Sequence, residues 1–214
     1  MLAERGAACR VDLTGVLKAK ICLIGEAAVG KTSLVRRYVE NAFDDRYLST
    51  LGSKVSLKRI WLTQTKDSNR QLEVQLSIWD LIGERSYLET LHQEYLRGAQ
   101  GLVAVCDITR YSSFDALDEW IPAALRISGD VPVALVVNKM DLKDQVMVLY
   151  DESEPGEKAA KYGGFAEWTS AKNGDNVNSV FGRLALGVVR KVAAMETYGN
   201  APTADPPNDV VGPS

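Results

Sequence analysis

Ile21-Cys22-Leu23-Ile24-Gly25-Glu26-Ala27-Ala28-Val29-Gly30-Lys31-Thr32-Ser33-Leu34 is the stretch on which the fold turns. Four apolar residues make a short buried strand. A loop of the form GxxxxGK[ST] follows, and then Leu34, Val35, Tyr38 and Val39 recur at helical spacing. Strand, loop and helix in that order are the context in which the pattern becomes a phosphate site. Backbone N–H groups of the loop and the helix N-terminus both attract an anion. The candidate contacts are Gly25, Glu26, Ala27, Ala28, Val29, Gly30, Lys31, Thr32 and Ser33. Lys31 is placed to reach the β- and γ-phosphates, and the Thr32 hydroxyl to ligate Mg²⁺. By itself the loop implies a nucleoside triphosphate and leaves the base open.

Apolar runs and amphipathic segments alternate on the C-terminal side of this unit. Val55, Leu57 and Ile60 suggest a second strand, and Leu72, Val74, Leu76 and Ile78 alternate with period two in a third. Leu102 to Cys106 and Val131 to Val137 are short continuous apolar runs, as central parallel strands require, and Phe165 to Thr169 makes a last strand. Phe114, Leu117, Ile121 and Leu125 keep helical intervals, as do Val177, Phe181, Leu184 and Val188. The expected class is α/β, a P-loop NTPase with a mostly parallel six-stranded sheet covered by helices on both faces. In such a sheet ligands bind at the carboxyl ends of the strands, where all the motifs fall.

Two further motifs name the base. Asn138-Lys139-Met140-Asp141 closes an apolar strand. A carboxylate there accepts from both the ring N1–H and the exocyclic amine of guanine, whereas adenine offers no such pair of donors and leaves it unmatched. The Lys139 stem can lie along the base, and Asn138 can bond its far edge and tie loops together. Ser170-Ala171-Lys172 stands at the end of the next strand, 31 residues after Asp141 counted from Met140's neighbour to Lys172. The expected ligand is therefore GTP or GDP, with Mg²⁺.

The 214 residues are most simply one folded domain with tails: an N-terminal extension over 1–17, a nucleotide-binding domain over 18–195, and a Pro-rich disordered tail over 196–214. A net charge of −3 gives no basic field for nucleic acid. Cys9, Cys22 and Cys106 are odd in number and widely spaced, which argues against disulfides and zinc and for a reducing, cytoplasmic setting. No signal peptide or membrane span is read. The chain ends Val211-Gly212-Pro213-Ser214, with no cysteine for a prenyl group, so no lipid anchor is expected. A monomer is the expected state.

With these motifs, residues 18–195 resemble the Ras superfamily of small GTPases, most closely its Rab branch. Tyr95-Leu96-Arg97-Gly98-Ala99-Gln100-Gly101 followed by Cys106-Asp107-Ile108-Thr109 is similar to the Rab stretch after the second switch loop. The resemblance implies a molecular switch that hydrolyses GTP and is read by effectors, exchange factors and GTPase-activating proteins. It implies that Phe43 packs edge-on to guanine and that Tyr47 closes over the phosphates. Thr50, in the first switch loop, joins the Mg²⁺ shell and meets the γ-phosphate in the GTP state. Asp80, in Trp79-Asp80-Leu81-Ile82-Gly83, holds Mg²⁺ through water, and the Gly83 N–H senses the γ-phosphate. Hydrolysis releases both loops, and a partner reading the ordered surface lets go.

The second switch departs from the family. Asp-Thr-Ala-Gly-Gln is replaced by Asp80-Leu81-Ile82-Gly83-Glu84. The family glutamine accepts from the attacking water and donates to the transition state; an ionised Glu84 only accepts. With Lys31, Thr50 and Gly83 it completes the candidate catalytic set. Leu81 and Ile82 are bulky and apolar, which should stiffen or displace the loop. Ala27 and Ala28 stand where many relatives keep a glycine, and their methyls face the space of a partner's arginine. The expectation is a GTPase that is slow without a partner; the rival is a non-cycling guanine-nucleotide-binding interaction module. Arg46, near Thr50, reads as a solvated loop charge rather than an arginine supplied in cis. The interval from Thr50 to Asp80 is longer than in Rab proteins, which lengthens the hairpin around Thr65 to Arg70, and Val55 replaces a surface aromatic.

Overall fold

The computed structural model describes residues 16–44, 52–65, 68–84, 91–145 and 151–199. Tyr47, Thr50 and Arg46 lie outside them, as do the tail beyond 199 and most of the N-terminal extension.

The strands are β1 (Val16–Ile24), β2 (Ser53–Thr65), β3 (Ser68–Leu81), β4 (Gly101–Asp107), β5 (Val133–Asn138) and β6 (Phe165–Trp168). The helices are α1 (Lys31–Glu40), α2 (Leu91–Leu96), α3 (Tyr111–Asp115), α4 (Leu117–Ser128), α5 (Glu154–Ala160) and α6 (Val177–Gly199), with a 3₁₀ turn over Met140–Gln145. They form one six-stranded sheet in the order β2-β3-β1-β4-β5-β6. Only β2 runs antiparallel to its neighbour. The expected α/β architecture is thus the one observed.

Strands β4 and β5 are buried at every residue, which explains their unbroken apolar runs. One core lies between the sheet and α1 and α6, where Leu34 and Tyr38 meet Phe181, Leu184 and Val188. The Tyr38 and Phe181 rings stack with centroids 4.1 Å apart. The other core lies between the opposite face and α2 to α5, around Trp120, Leu117, Leu135 and Phe114. The buried Lys158 on α5 donates to the Phe114 carbonyl at 2.9 Å and pairs with Asp118 at 3.0 Å, so its charge is compensated.

Several boundaries differ from the sequence reading for local reasons. β1 begins at Val16. β5 begins at Val133 because Pro132 has no N–H for the ladder. The apolar run Phe114 to Leu125 is split at Ala116 into α3 and α4. α5, opened by Pro155, is too short to leave a periodic signal. The extra residues before Asp80 are built into the β2–β3 ribbon: β3 starts at Ser68, but its pairing with β1 starts only at Glu73.

Candidate functional site

Strand register sets the site. Leu23 pairs with Asp80 and Asp107 pairs with Asn138, so the carboxyl ends of β3, β1, β4 and β5 present their polar residues side by side. The chain leaves β1 through Gly25, where any Cβ would collide with the Val105 carbonyl of β4. Ala28 (φ +64°) and Gly30 (φ +99°) take left-handed conformations, the backbone habit of anion-binding loops. Ala28 does so without being glycine, which costs about 1 kcal/mol of local strain.

Lys31 opens α1 and is only 6% exposed. Its ammonium donates to the carbonyls of Gly25 and Glu26, each at 2.7 Å. Burial lowers its pKa to about 8; Asp80 and Glu26 oppose that shift and Arg110 adds to it. An anionic phosphate would relieve this strain on the cation.

Thr32 Oγ donates to one carboxylate oxygen of Asp80 at 2.5 Å. The other oxygen, Oδ1, is buried with no hydrogen-bond partner among the described residues. Burial pushes the Asp80 pKa up, against the Thr32 hydrogen bond and the charges of Lys31 and Lys54. An orphaned carboxylate oxygen beside a hydroxyl fits a hard divalent cation such as Mg²⁺, which takes few protein oxygens and keeps waters and phosphates for the rest.

Gly83 lies directly on the phosphate loop. A Cβ there would stand 2.5 Å from the Ala27 nitrogen and would also strike Lys31 Nζ, so no larger residue fits this approach. Leu81 is buried at the end of β3, and the Ile82 N–H donates to the Gly52 carbonyl at 3.0 Å, so the start of the second switch is anchored. Glu84 is exposed and sits at the mouth of the same cavity as Lys31.

The other end of the cavity is tied together by Asn138. Its Nδ2 donates to the Val29 carbonyl at 3.0 Å, and its Oδ1 accepts from Thr169 Oγ at 3.1 Å and from the Ala171 N–H at 3.2 Å. Ser170 Oγ donates to Asp141 at 2.6 Å, fixing that carboxylate. A cavity of about 560 Å³ runs from Lys31, Thr32, Gly83 and Glu84 to Lys139, Asp141, Ala171 and Lys172, with Phe43 on its wall.

Three positioning residues escaped the sequence reading. Arg37, in the last turn of α1, donates to the Ala171 carbonyl at 2.8 Å and to the Lys172 carbonyl. Asp107, buried at the end of β4, holds the Lys139 ammonium at 2.6 Å. Arg110, in the loop after β4, donates to the Ala27 carbonyl at 2.7 Å. Arg37 and Arg110 carry no local pattern; Asp107 falls within the Rab-like Cys106–Thr109 stretch, but its pairing with Lys139 arises only once the fold closes.

A phosphate loop at the carboxyl end of a parallel sheet places the chain among the P-loop nucleotide-binding proteins. A family model for the Ras family matches residues 20–190. The sequence is 38% identical over 174 residues to "Ras-related protein Rab-21" of Geodia cydonium, covering 81% of this chain and 72% of that protein. It is 34% identical over 189 residues to "Ras-related protein Rab-3A" of Homo sapiens (87% and 79%) and 35% identical over 190 residues to "Ras-related protein Rab-8B" of Pongo abelii (88% and 86%). The chain belongs to the Ras family and is a Rab-like small GTPase. Among the described residues no helix is long and apolar enough to cross a membrane.

Proposed function

We propose that this chain binds GTP and GDP with Mg²⁺ and hydrolyses GTP, and that its two switch loops report which nucleotide is present. The observation that carries the reading is a single cavity lined at one end by Lys31, Thr32 and Gly83 and at the other by Lys139 and Asp141. Base and triphosphate then bind together, and the γ-phosphate falls beside Gly83.

In this reading the phosphate loop from Gly25 to Ser33 cradles the phosphates. Thr32, Asp80 and Thr50 would hold Mg²⁺, which would neutralise charge on the phosphate oxygens. Phe43, Asn138, Lys139, Asp141, Ser170, Ala171 and Lys172 surround guanine, and Tyr47 covers the phosphates. Water attacks the γ-phosphorus, the bond to the β–γ bridging oxygen breaks, and GDP, phosphate and one proton leave. Glu84 orients that water by accepting from it, but offers no donor to the transition state. The G domain proposed over 18–195 would act as a monomer, with β1 and α6 running a few residues past those bounds. Effectors and regulators would read the two switch loops and the outer face of β2 and β3. There Val55 lies half exposed opposite Trp79, and Trp79 tilts against Tyr95 with ring centroids 6.1 Å apart.

The anchored Leu81 and the apolar Ile82 favour one rival, a module that binds guanine nucleotide and does not cycle. A double Ile82→Ala, Glu84→Gln variant separates the two in single-turnover hydrolysis. It is expected to hydrolyse GTP about tenfold faster, since one transition-state donor and loop freedom are restored. An unchanged rate would remove Glu84 and Ile82 from the account.

A further inference from the structure

The end of β4 and the turn after it hold two residues that line the cavity, Lys139 and Ala27. At the base end the Asp107 carboxylate pairs with Lys139 at 2.6 Å. At the phosphate end the Arg110 guanidinium donates to the Ala27 carbonyl at 2.7 Å and stands 3.6 Å from the Glu26 carboxylate. The backbone of Arg110 is itself pinned. Its N–H donates to the Asp107 carbonyl at 2.9 Å, and its carbonyl accepts from the Ser113 N–H at 3.0 Å and from Ser113 Oγ at 2.6 Å. Ser113 Oγ in turn accepts from the Asp107 N–H at 2.9 Å. The arginine therefore projects from a fixed base, and its reach to residues 83 positions away in sequence is set by the fold.

Glu26 and Ala27 are also the residues on which Gly83 rests, since a Cβ on Gly83 would meet the Ala27 nitrogen and the Glu26 carbonyl carbon, each at 2.5 Å. Arg110 and Gly83 thus contact one short piece of backbone. That piece lies against Gly83, whereas the Val29 carbonyl accepts from Asn138 Nδ2 on the side of the proposed base site. We propose that Arg110 is a positioning residue for the γ-phosphate: it holds the Glu26–Ala27 backbone where Gly83 and a triphosphate can meet. The inference rests on the reading of the cavity as a GTP site. Its consequence is selective, because GDP leaves the Gly83 end of the loop unengaged. A guanidinium that merely capped a stray carbonyl would affect both nucleotides alike.

The test compares GDP with the non-hydrolysable β,γ-imido analogue of GTP. Dissociation constants are measured in Mg²⁺ buffer on the full chain, for wild type, Arg110→Ala and Arg110→Lys. Losing one charge-assisted hydrogen bond should weaken the triphosphate analogue about tenfold relative to GDP. Arg110→Lys, which keeps a cationic donor, should return that ratio to within about threefold of wild type, an estimate from the same hydrogen-bond magnitudes. Equal weakening of both nucleotides, an unchanged ratio in Arg110→Ala, or a lysine variant no better than alanine would overturn the proposal. Should Arg110→Ala fail to fold, Arg110→Met, which keeps the stem and removes the donors to the Ala27 carbonyl, takes its place, and an unchanged ratio there overturns the proposal. Wild-type protein that binds neither nucleotide would instead sink the GTP-site reading.

Discussion

Asp141→Ala is expected to lower GTP affinity by about a thousandfold while leaving the weak binding of ATP unchanged. Guanine presents two N–H donors on one edge, and the proposed partner for both is the Asp141 carboxylate. Hydrogen bonds to a charged group contribute about 1.5–3 kcal/mol each, so losing two costs on the order of 10²–10⁴ in affinity. The carboxylate is held for this purpose: Ser170 Oγ donates to it at 2.6 Å, and Ser170 is itself buried. Adenine gains nothing from Asp141 and so loses nothing with it. Competition of GTP and ATP against a fluorescent guanine nucleotide checks the result. Parallel loss of both nucleotides would mean that the variant had damaged the loop rather than the base contact.

Lys31→Ala should weaken GTP binding by about a hundred- to a thousandfold. The ammonium lies 2.7 Å from the Gly25 and Glu26 carbonyls and is almost fully buried, so its charge is barely screened by water. Phosphate oxygens approaching that loop would meet a preplaced cation, and a short, desolvated contact of this kind is among the strongest a side chain can make. Without it those two carbonyls face the anion alone. Titration calorimetry with GTP and GDP measures the loss, and a circular-dichroism melt confirms that the fold persists. A loss below about fivefold, roughly 1 kcal/mol, would contradict the role given to Lys31.

The parts of this molecule that were legible in the sequence are those written locally. The run from Ile21 to Leu34 carries strand, loop and helix within 14 residues. The apolar blocks of β4 and β5 announce buried parallel strands because both faces are covered. Asn138 and Asp141 are close in sequence and stand at a strand end, and the structure brings them to one cavity with Lys31 and Phe43. The long-range contacts of Arg37, Asp107 and Arg110 were not legible. Their partners lie 134, 32 and 83 positions away, so their meaning depends on register between strands rather than on spacing. β2 was legible as a strand, with Val55 at a surface position, but not in how its faces divide. Val55 and Leu57 count as apolar strand residues, yet they point outward with Trp61, and Ile60 on the other face packs into the core. Composition marks the strand, but only pairing with β3 decides which face is solvent. Thr50 and Tyr47 lie outside the described residues.

Single-turnover release of phosphate from GTP-loaded wild-type protein tests the central claim most directly, with Mg²⁺ present and again after chelation by EDTA. The account predicts slow, first-order release that stops when Mg²⁺ is removed, because the orphaned Asp80 oxygen beside Thr32 is placed for that ion. Tight GTP binding with no release, or release indifferent to chelation, would contradict it.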